Sequence, residues 1–266
     1  PAPISSEWKG TGTAADPYII STAADLAMLS QKVEEGNDYE GYHFALGGDI
    51  DMSTLDRPYY AIGSAAAPFN GTFDGRNHEI SNLDYNSLGL PAAGLFGAVG
   101  ASGQVKDLTL AGFRLTGTGD NIGTLAGIFD GKASGVKGDG CSLTTTGEAT
   151  GGLAGQLNGS MENCTFAGTV TGKGLVGGLV GFNAGSVERC SASASVSLNG
   201  THSTSYHTAA GLCATVASTV LGNGKGRIAD SYFTGEVRDL VGNNNTGGLF
   251  GQASRATIER SFNTGS

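Results

Sequence analysis

Gly152-Leu153-Ala154-Gly155 and Gly178-Leu179-Val180-Gly181 are two copies of one phrase: glycine, leucine, an apolar residue, glycine. It returns as Gly94-Leu95-Phe96-Gly97 and Gly248-Leu249-Phe250-Gly251, with degenerate copies at Thr124-Leu125-Ala126-Gly127 and Gly211-Leu212-Cys213-Ala214. The leucines Leu95, Leu125, Leu153, Leu179, Leu212 and Leu249 stand 30, 28, 26, 33 and 37 residues apart. Self-similarity at such a period marks a solenoid, and its drift implies coils joined by loops of unequal length.

A second phrase follows the first. Met161-Glu162-Asn163-Cys164-Thr165-Phe166 lies over Val187-Glu188-Arg189-Cys190-Ser191-Ala192, and Ile228-Ala229-Asp230-Ser231-Tyr232-Phe233 repeats the template. An apolar residue is followed three places on by a small one, then by alternation at period 2. Alternation is the pattern of a strand with one buried face, and the three-residue step reads as a corner between two strands. Each coil is thus expected to hold two or three short strands. Val105, Leu108 and Leu110 fit the template, as do Ile258 and Ser261, whereas 136–143 fits poorly.

Stacked coils of about 26 residues require parallel pairing at a spacing of about 4.8 Å. Strand, crossover and parallel strand are right-handed almost without exception. The expected fold is therefore an all-β, right-handed parallel β-helix. Within the Gly-Leu phrase, adjacent apolar side chains would face opposite ways on a regular strand. Positive φ at the flanking glycines would form a corner that turns both inward; the alternative packs one of them under a loop.

The first residues follow another pattern. Thr22 followed by Asp25, then Leu26, Leu29 and Val33 on one face and Gly36 as stop, predicts a helix over about 22–35. It is expected to cap one open end of the stack, where bare strand edges would otherwise aggregate. Phe44, Leu46, Ile50 and Met52 suggest one long strand, its other face carrying Asp49 and Asp51. The organisation expected is one domain over 1–266, with a cap over 1–53 and coils over 54–266. No matching lid is visible at the carboxyl end, so the stack is expected to continue beyond it.

Composition narrows the function. Charged residues are 15% and hydrophobic ones 39%, which excludes disorder; glycine at 46 with only 6 prolines excludes collagen. A net charge of −9 argues against nucleic acid and anionic membranes as partners. There is no run of 18 apolar residues, so no membrane contact is expected of this segment. Cys141, Cys164, Cys190 and Cys213 match no zinc spacing. Cys164 and Cys190, 26 residues apart, occupy one position in adjacent coils, either as buried small apolar groups or as a disulfide between coils.

These phrases resemble the GLUG-repeat family of bacterial surface proteins. The opening is also similar, in Trp8, Gly10-Thr11-Gly12, Asp16-Pro17-Tyr18, Ala24-Asp25-Leu26, and Phe69-Asn70-Gly71-Thr72-Phe73-Asp74-Gly75 with Ile80, Asn82 and Leu83. The resemblance implies an extracellular or cell-surface bacterial protein whose β-helix is a stalk or adhesive module beside other domains. Some members are described as immunoglobulin A peptidases, whose metalloprotease domain accompanies similar repeats.

That chemistry is missing from this chain. A zinc protease needs two histidines one helical turn apart with a glutamate between them. The nearest approach is His78-Glu79-Ile80-Ser81-Asn82, with asparagine in place of the second histidine. No glycine phrase enters a helix as a phosphate loop must, and no nucleophile elbow is present. No metal and no cofactor are expected. A carbohydrate-active enzyme would need paired carboxylates on an outer face, for which Asp49 and Asp51, with Asp56 and Arg57 nearby, are the candidates. The longest leucine intervals contain polar insertions, 199–207 and 241–246, and His202, Tyr206 and His207 are the candidate ligand contacts there. The leading expectation is a non-catalytic spacer or adhesin module that binds a glycan or a host surface protein. The alternatives are a polysaccharide lyase or hydrolase and an accessory module of an immunoglobulin A-type metalloprotease.

Overall fold

The computed structural model describes residues 8–200, 207–217, 226–242 and 244–266. The backbone winds as a parallel β-solenoid of about 8 turns. Among the described residues the strands form three walls: one broad sheet of 18 short strands and two narrow sheets of 6 strands each. One turn illustrates all of them. Ala149–Gly151 lies in the first narrow wall and Ala154–Leu157 in the second; Ser160–Glu162 and Thr165–Gly172 follow in the broad wall. The turn thus has four strands, one more than the alternation suggested, because the Gly-Leu phrase is itself a bend between two of them.

Register is strict. Thr165 pairs with Ser191 and runs in step through Gly172 with Leu198. At the bends the leucines follow one another by backbone hydrogen bonds: Leu125 N to Leu153 O, Leu153 N to Leu179 O and Leu179 N to Leu212 O are each 2.9 Å. Cys164 and Cys190 stack as expected, the Cys164 amide lying 3.4 Å from Cys190 Sγ, and all four cysteines are free and buried. Of the two readings, the buried apolar stack is the one present.

Both apolar residues of the Gly-Leu phrase point inward. Leu95, Leu125, Leu153, Leu179 and Leu212 are fully buried, and so are Phe96, Ala126, Ala154, Val180 and Cys213 beside them. The expected cause is not the actual one, because the flanking glycines do not have positive φ. Their role is to let backbones approach closely. A Cβ on Gly178 would stand 2.0 Å from Gly211 O, and one on Gly155 would stand 2.5 Å from Ile122 N. Glycine is needed where one turn presses on the next.

Positive φ occurs instead at the three-residue corner, one residue per turn: Asp107, Asn163, Arg189, Asp230 and Arg260 lie between +45° and +53°. Gly135 fills the same place. The poorly fitting stretch after it belongs to a 14-residue strand, Lys132–Thr145, whose register shifts between Asp139 and Cys141. Gly140, at φ +60°, is the extra residue of a bulge, so the alternation slips by one.

The helix spans Ala23–Glu34 with the predicted start. Asp25 N donates to Thr22 Oγ1 at 3.1 Å, and Thr22 N donates to Asp25 Oδ2 at 2.9 Å, a reciprocal cap that satisfies two otherwise unpaired donors. Leu26, Leu29 and Val33 are buried in the main core, and Ser30 Oγ donates to Ala61 O at 3.0 Å. Behind the helix, Trp8, Tyr18 and Tyr39 surround Phe44, and Phe44, Phe69 and Phe96 carry ring contact into the stack. The single long strand expected over 44–52 is absent. Gly47, Gly48 and Asp49 break it into His43–Leu46 and Ile50–Asp51, and a 3-10 turn, Met52–Thr54, follows. Both fragments already pair with later turns, Phe44 with Phe73 and Ile50 with Ile80, so the cap region is itself wound into the stack.

Candidate binding groove

The two narrow walls meet at a bend, and their outward faces form a groove along the solenoid. On the second wall the outward row is Ile128, Gln156, Phe182, Thr215 and Gln252, each paired with the next. On the first wall it is Asn121, Ala149, Leu175 and Thr208. Ala149, Leu175 and Ala214, with Phe182 packed against them, form an apolar cluster separate from the main core. Two hollows of about 240 and 400 Å³ adjoin one another there, sharing Glu148, Leu175 and Phe182. Asn121 and Gln156 line one of them; Thr215, Gln252 and Ser254 line the other.

The polar groups of this groove are unevenly satisfied. Gln156 Nε2 donates to Asn158 Oδ1 at 3.1 Å. The Thr215 hydroxyl is buried and has no hydrogen-bond partner among the described residues, and the same holds for Thr208. A buried hydroxyl without a partner costs about 1–3 kcal/mol of desolvation. The sequence signal for this row was available in the residue after each Gly-Leu-x-Gly phrase, which reads Gln156, Phe182 and Gln252 in three of the copies. Only the bend geometry turns that row toward the neighbouring wall.

His207 is the one described member of the loop candidates; His202 and Tyr206 lie outside the described residues. It is half-buried at the start of the first narrow wall, with Nδ1 3.2 Å from Lys173 O. Thr208 N donates to Gly174 O and Leu175 N to Glu148 O, so His207 continues the row that contains Glu148, two turns farther along. The insertion 241–246 is pinned by Asp239, whose Oδ1 accepts from Val241 N at 2.9 Å and Gly242 N at 3.0 Å.

Asp49 and Asp51 are brought close in the chain but given separate partners. Asp49 Oδ1 accepts from Glu79 N at 3.0 Å and lies 3.1 Å from His78 Nδ1; the Glu79 amide and then His78 hold its carboxyl below the usual range. Asp51 Oδ1 accepts from Asn82 Nδ2 and Ser53 N, each at 3.0 Å, and the Asn82 bond is the leading cause of its lowered pKa. Both are tied as acceptors to the next turn. Neither has the raised pKa that a catalytic proton donor requires.

Most other charges of the later turns form a ladder beside the corners. Arg189 contacts Glu162 and Glu188, Arg227 bridges Glu188 and Glu259 at 3.0 and 2.7 Å, and Arg260 grips Asp230 through Nε and Nη2 at 2.6 and 2.8 Å. Among the described residues no group of three or more His, Cys, Asp or Glu side chains could hold a metal ion. No helix among them is long and apolar enough to cross a membrane.

The model of the GLUG motif matches residues 146–171 and 172–197, which are consecutive turns. Halomucin of Haloquadratum walsbyi is 34% identical over 130 residues, 48% of this chain but 1% of that protein. A "Putative Gly-rich membrane protein" of Evansella cellulosilytica is 35% identical over 124 residues, 44% of this chain and 14% of that protein. The matched parts are thus small fractions of both relatives. Among solved structures, a "putative immunoglobulin A1 protease from Bacteroides ovatus" superposes with a TM-score of 0.75 and 21% identity, covering 96% of this chain and 77% of that one, a likeness of fold. Both matched repeats are seated as successive turns of one stack, so the chain carries two GLUG motifs on a parallel β-helix.

Proposed function

We propose that this chain is a non-catalytic β-helical module of a larger surface protein, holding flanking domains apart and offering its outer faces for adhesion to a glycan or a host surface protein. The observation that carries this reading is the parallel pairing of successive turns from the aromatic cap to the last turn among the described residues, shifted in register at the single bulge near Gly140, which makes a stiff stack. Its relatives support a surface setting, since one is a halomucin and the other a Gly-rich membrane protein, and the matched segment is a small part of each. His202, Tyr206 and His207 remain the loop contacts proposed for a partner.

An antibody against this segment should label intact cells of the source organism. Labelling only after permeabilisation would contradict the surface assignment. A second reading, an accessory module of a protease, draws on the family resemblance and on the name of the Bacteroides ovatus neighbour. Incubation of the purified chain with immunoglobulin A1 and with a polysaccharide panel should leave every substrate intact. Cleavage abolished by Asp51→Asn would instead favour a carbohydrate-active enzyme at the acidic corner.

A further inference from the structure

We infer that the groove between the two narrow walls is a binding site for an uncharged glycan chain lying along the solenoid axis, with Phe182 as its stacking platform. The inference rests on the adhesive part of the reading above and names its ligand class and its site.

The shape of the groove sets the first requirement. Its outward row repeats once per turn, and successive strands are about 4.8 Å apart. That step is close to the repeat of an extended pyranose chain, so equivalent sugar units can meet equivalent positions on successive turns. Gln156, Phe182, Thr215 and Gln252 provide four such positions in register. A peptide is the poorer match, because strand addition needs an open sheet edge. The groove is made of sheet faces whose backbone groups are already paired between turns.

The chemistry of the lining sets the second. Phe182 is half-buried, packs against Ala149, Leu175 and Ala214, and lines both hollows. The negative face of an aromatic ring attracts the polarised C–H groups of a sugar. Around it stand amides and hydroxyls that both donate and accept, Asn121, Gln156, Gln252, Thr215 and Ser254, which suit the mixed character of sugar hydroxyls. Thr215 is 7% exposed, lines the hollow and has an unpartnered hydroxyl, so a ligand hydroxyl would fill a bond that the protein leaves open.

Charge excludes the polyanionic glycans. Among the described residues that line the two hollows Glu148 is the single charged one, and the whole chain carries −9. Among the described residues the Glu148 carboxylate has no ion pair or hydrogen bond, so it is available to accept from two neighbouring sugar hydroxyls. Sulfated or uronic chains would be repelled.

The test is titration calorimetry of the purified chain with soluble neutral oligosaccharides, namely disaccharides and hexasaccharides of β-linked glucose, mannose, galactose and N-acetylglucosamine, followed by chromatography of the recovered sugar. At least one hexasaccharide should bind, more tightly than its disaccharide. Phe182→Ala should weaken it roughly tenfold or more. Phe182→Tyr should retain binding, and so should Glu79→Ala on the broad wall, with circular dichroism reporting that each variant is folded. Absence of binding by every sugar, or binding indifferent to Phe182→Ala, overturns the groove assignment and leaves the surface-module reading standing. Cleaved sugar with Phe182-dependent binding upholds the groove and overturns the non-catalytic reading instead.

Discussion

The amino-terminal end and the turns around residues 146–197 bury their cores by opposite means. The end uses large, unrepeated rings: Trp8, Tyr18, Tyr39, Phe44 and Phe69 meet at centroid distances between 4.9 and 6.3 Å, largely in tilted or edge-to-face pairs. The middle turns use repeating, mostly aliphatic residues such as Leu153 and Leu179 with one buried ring, Phe166, together with glycines too close to their neighbours for a Cβ and cysteine placed over cysteine. A ring cluster can close over an open end because nothing has to be copied above it. A repeating turn must reproduce its own surface at every step, which favours aliphatic side chains and close backbones. The end also breaks the ladder pattern. Ile19 N donates to Lys9 O at 2.8 Å in an antiparallel bridge, covering the outermost strand, Tyr18–Ile20, with a chain of opposite sense.

The largest effect should come from a charge placed in the repeating core. Leu179→Asp is expected to destabilise the chain by about 4 kcal/mol, because the carboxylate would be buried with no partner. Leu249→Asp, at a half-buried copy in the last turn, should cost less than half as much by denaturant unfolding. Equal costs would mean that the last turn is packed as tightly as the middle.

Next come the two classes of glycine. Gly178→Ala would press a methyl onto Gly211 O and should cost about 1–3 kcal/mol, as overpacking does. Gly36, at φ +98° after the helix, has open space around it, so Gly36→Ala carries only the conformational penalty of about 1 kcal/mol. Thermal unfolding of both variants gives the ranking directly. A harmless Gly178→Ala would refute the close-approach explanation of the repeat. Thr22→Ala removes one side of the helix cap and should cost about 1 kcal/mol, with Thr22→Ser restoring most of it.

The smallest effect concerns acid. The Arg260 guanidinium holds the Asp230 carboxyl low, and Arg227 does the same for Glu259. Groups with lowered native pKa stabilise the fold above the ordinary carboxylate range, and that support is lost as the pH falls through their native values. Hydrogen exchange, corrected for intrinsic rates, should therefore show the strands around 227–263 loosening below about pH 4 before those around 149–183 do. The ladder is exposed, and salt should reproduce part of the effect at neutral pH.

How much could be read beforehand follows the same division. The repeating turns were legible because stacking forces equivalent residues into equivalent places, so Leu153 over Leu179 and Cys164 over Cys190 could be paired from spacing alone. The helix was legible because its cap is local, confined to Thr22 and Asp25. Three features were not. The break at Gly47 and Gly48 cannot be told from a continuous apolar alternation without the turn that pairs with it. Positive φ at Arg189 and Arg260 is imposed by the stack on residues with no preference for it. The groove depends on the angle between two walls, and Phe182 and Thr215 become one surface only after that bend. His207 entered as part of a polar loop, and the stacking is what puts it in the row of Glu148.

The central claim is that equivalent residues of successive turns lie one strand spacing apart. Lys106, Ser134, Glu162, Glu188, Ala229 and Glu259 pair in sequence along the broad wall. Spin labels at positions 106 and 259, five steps apart, should therefore give a distance near 24 Å by double electron-electron resonance, broadened only by the tethers. A distance departing from it by more than about 10 Å, two strand spacings, would contradict the stack.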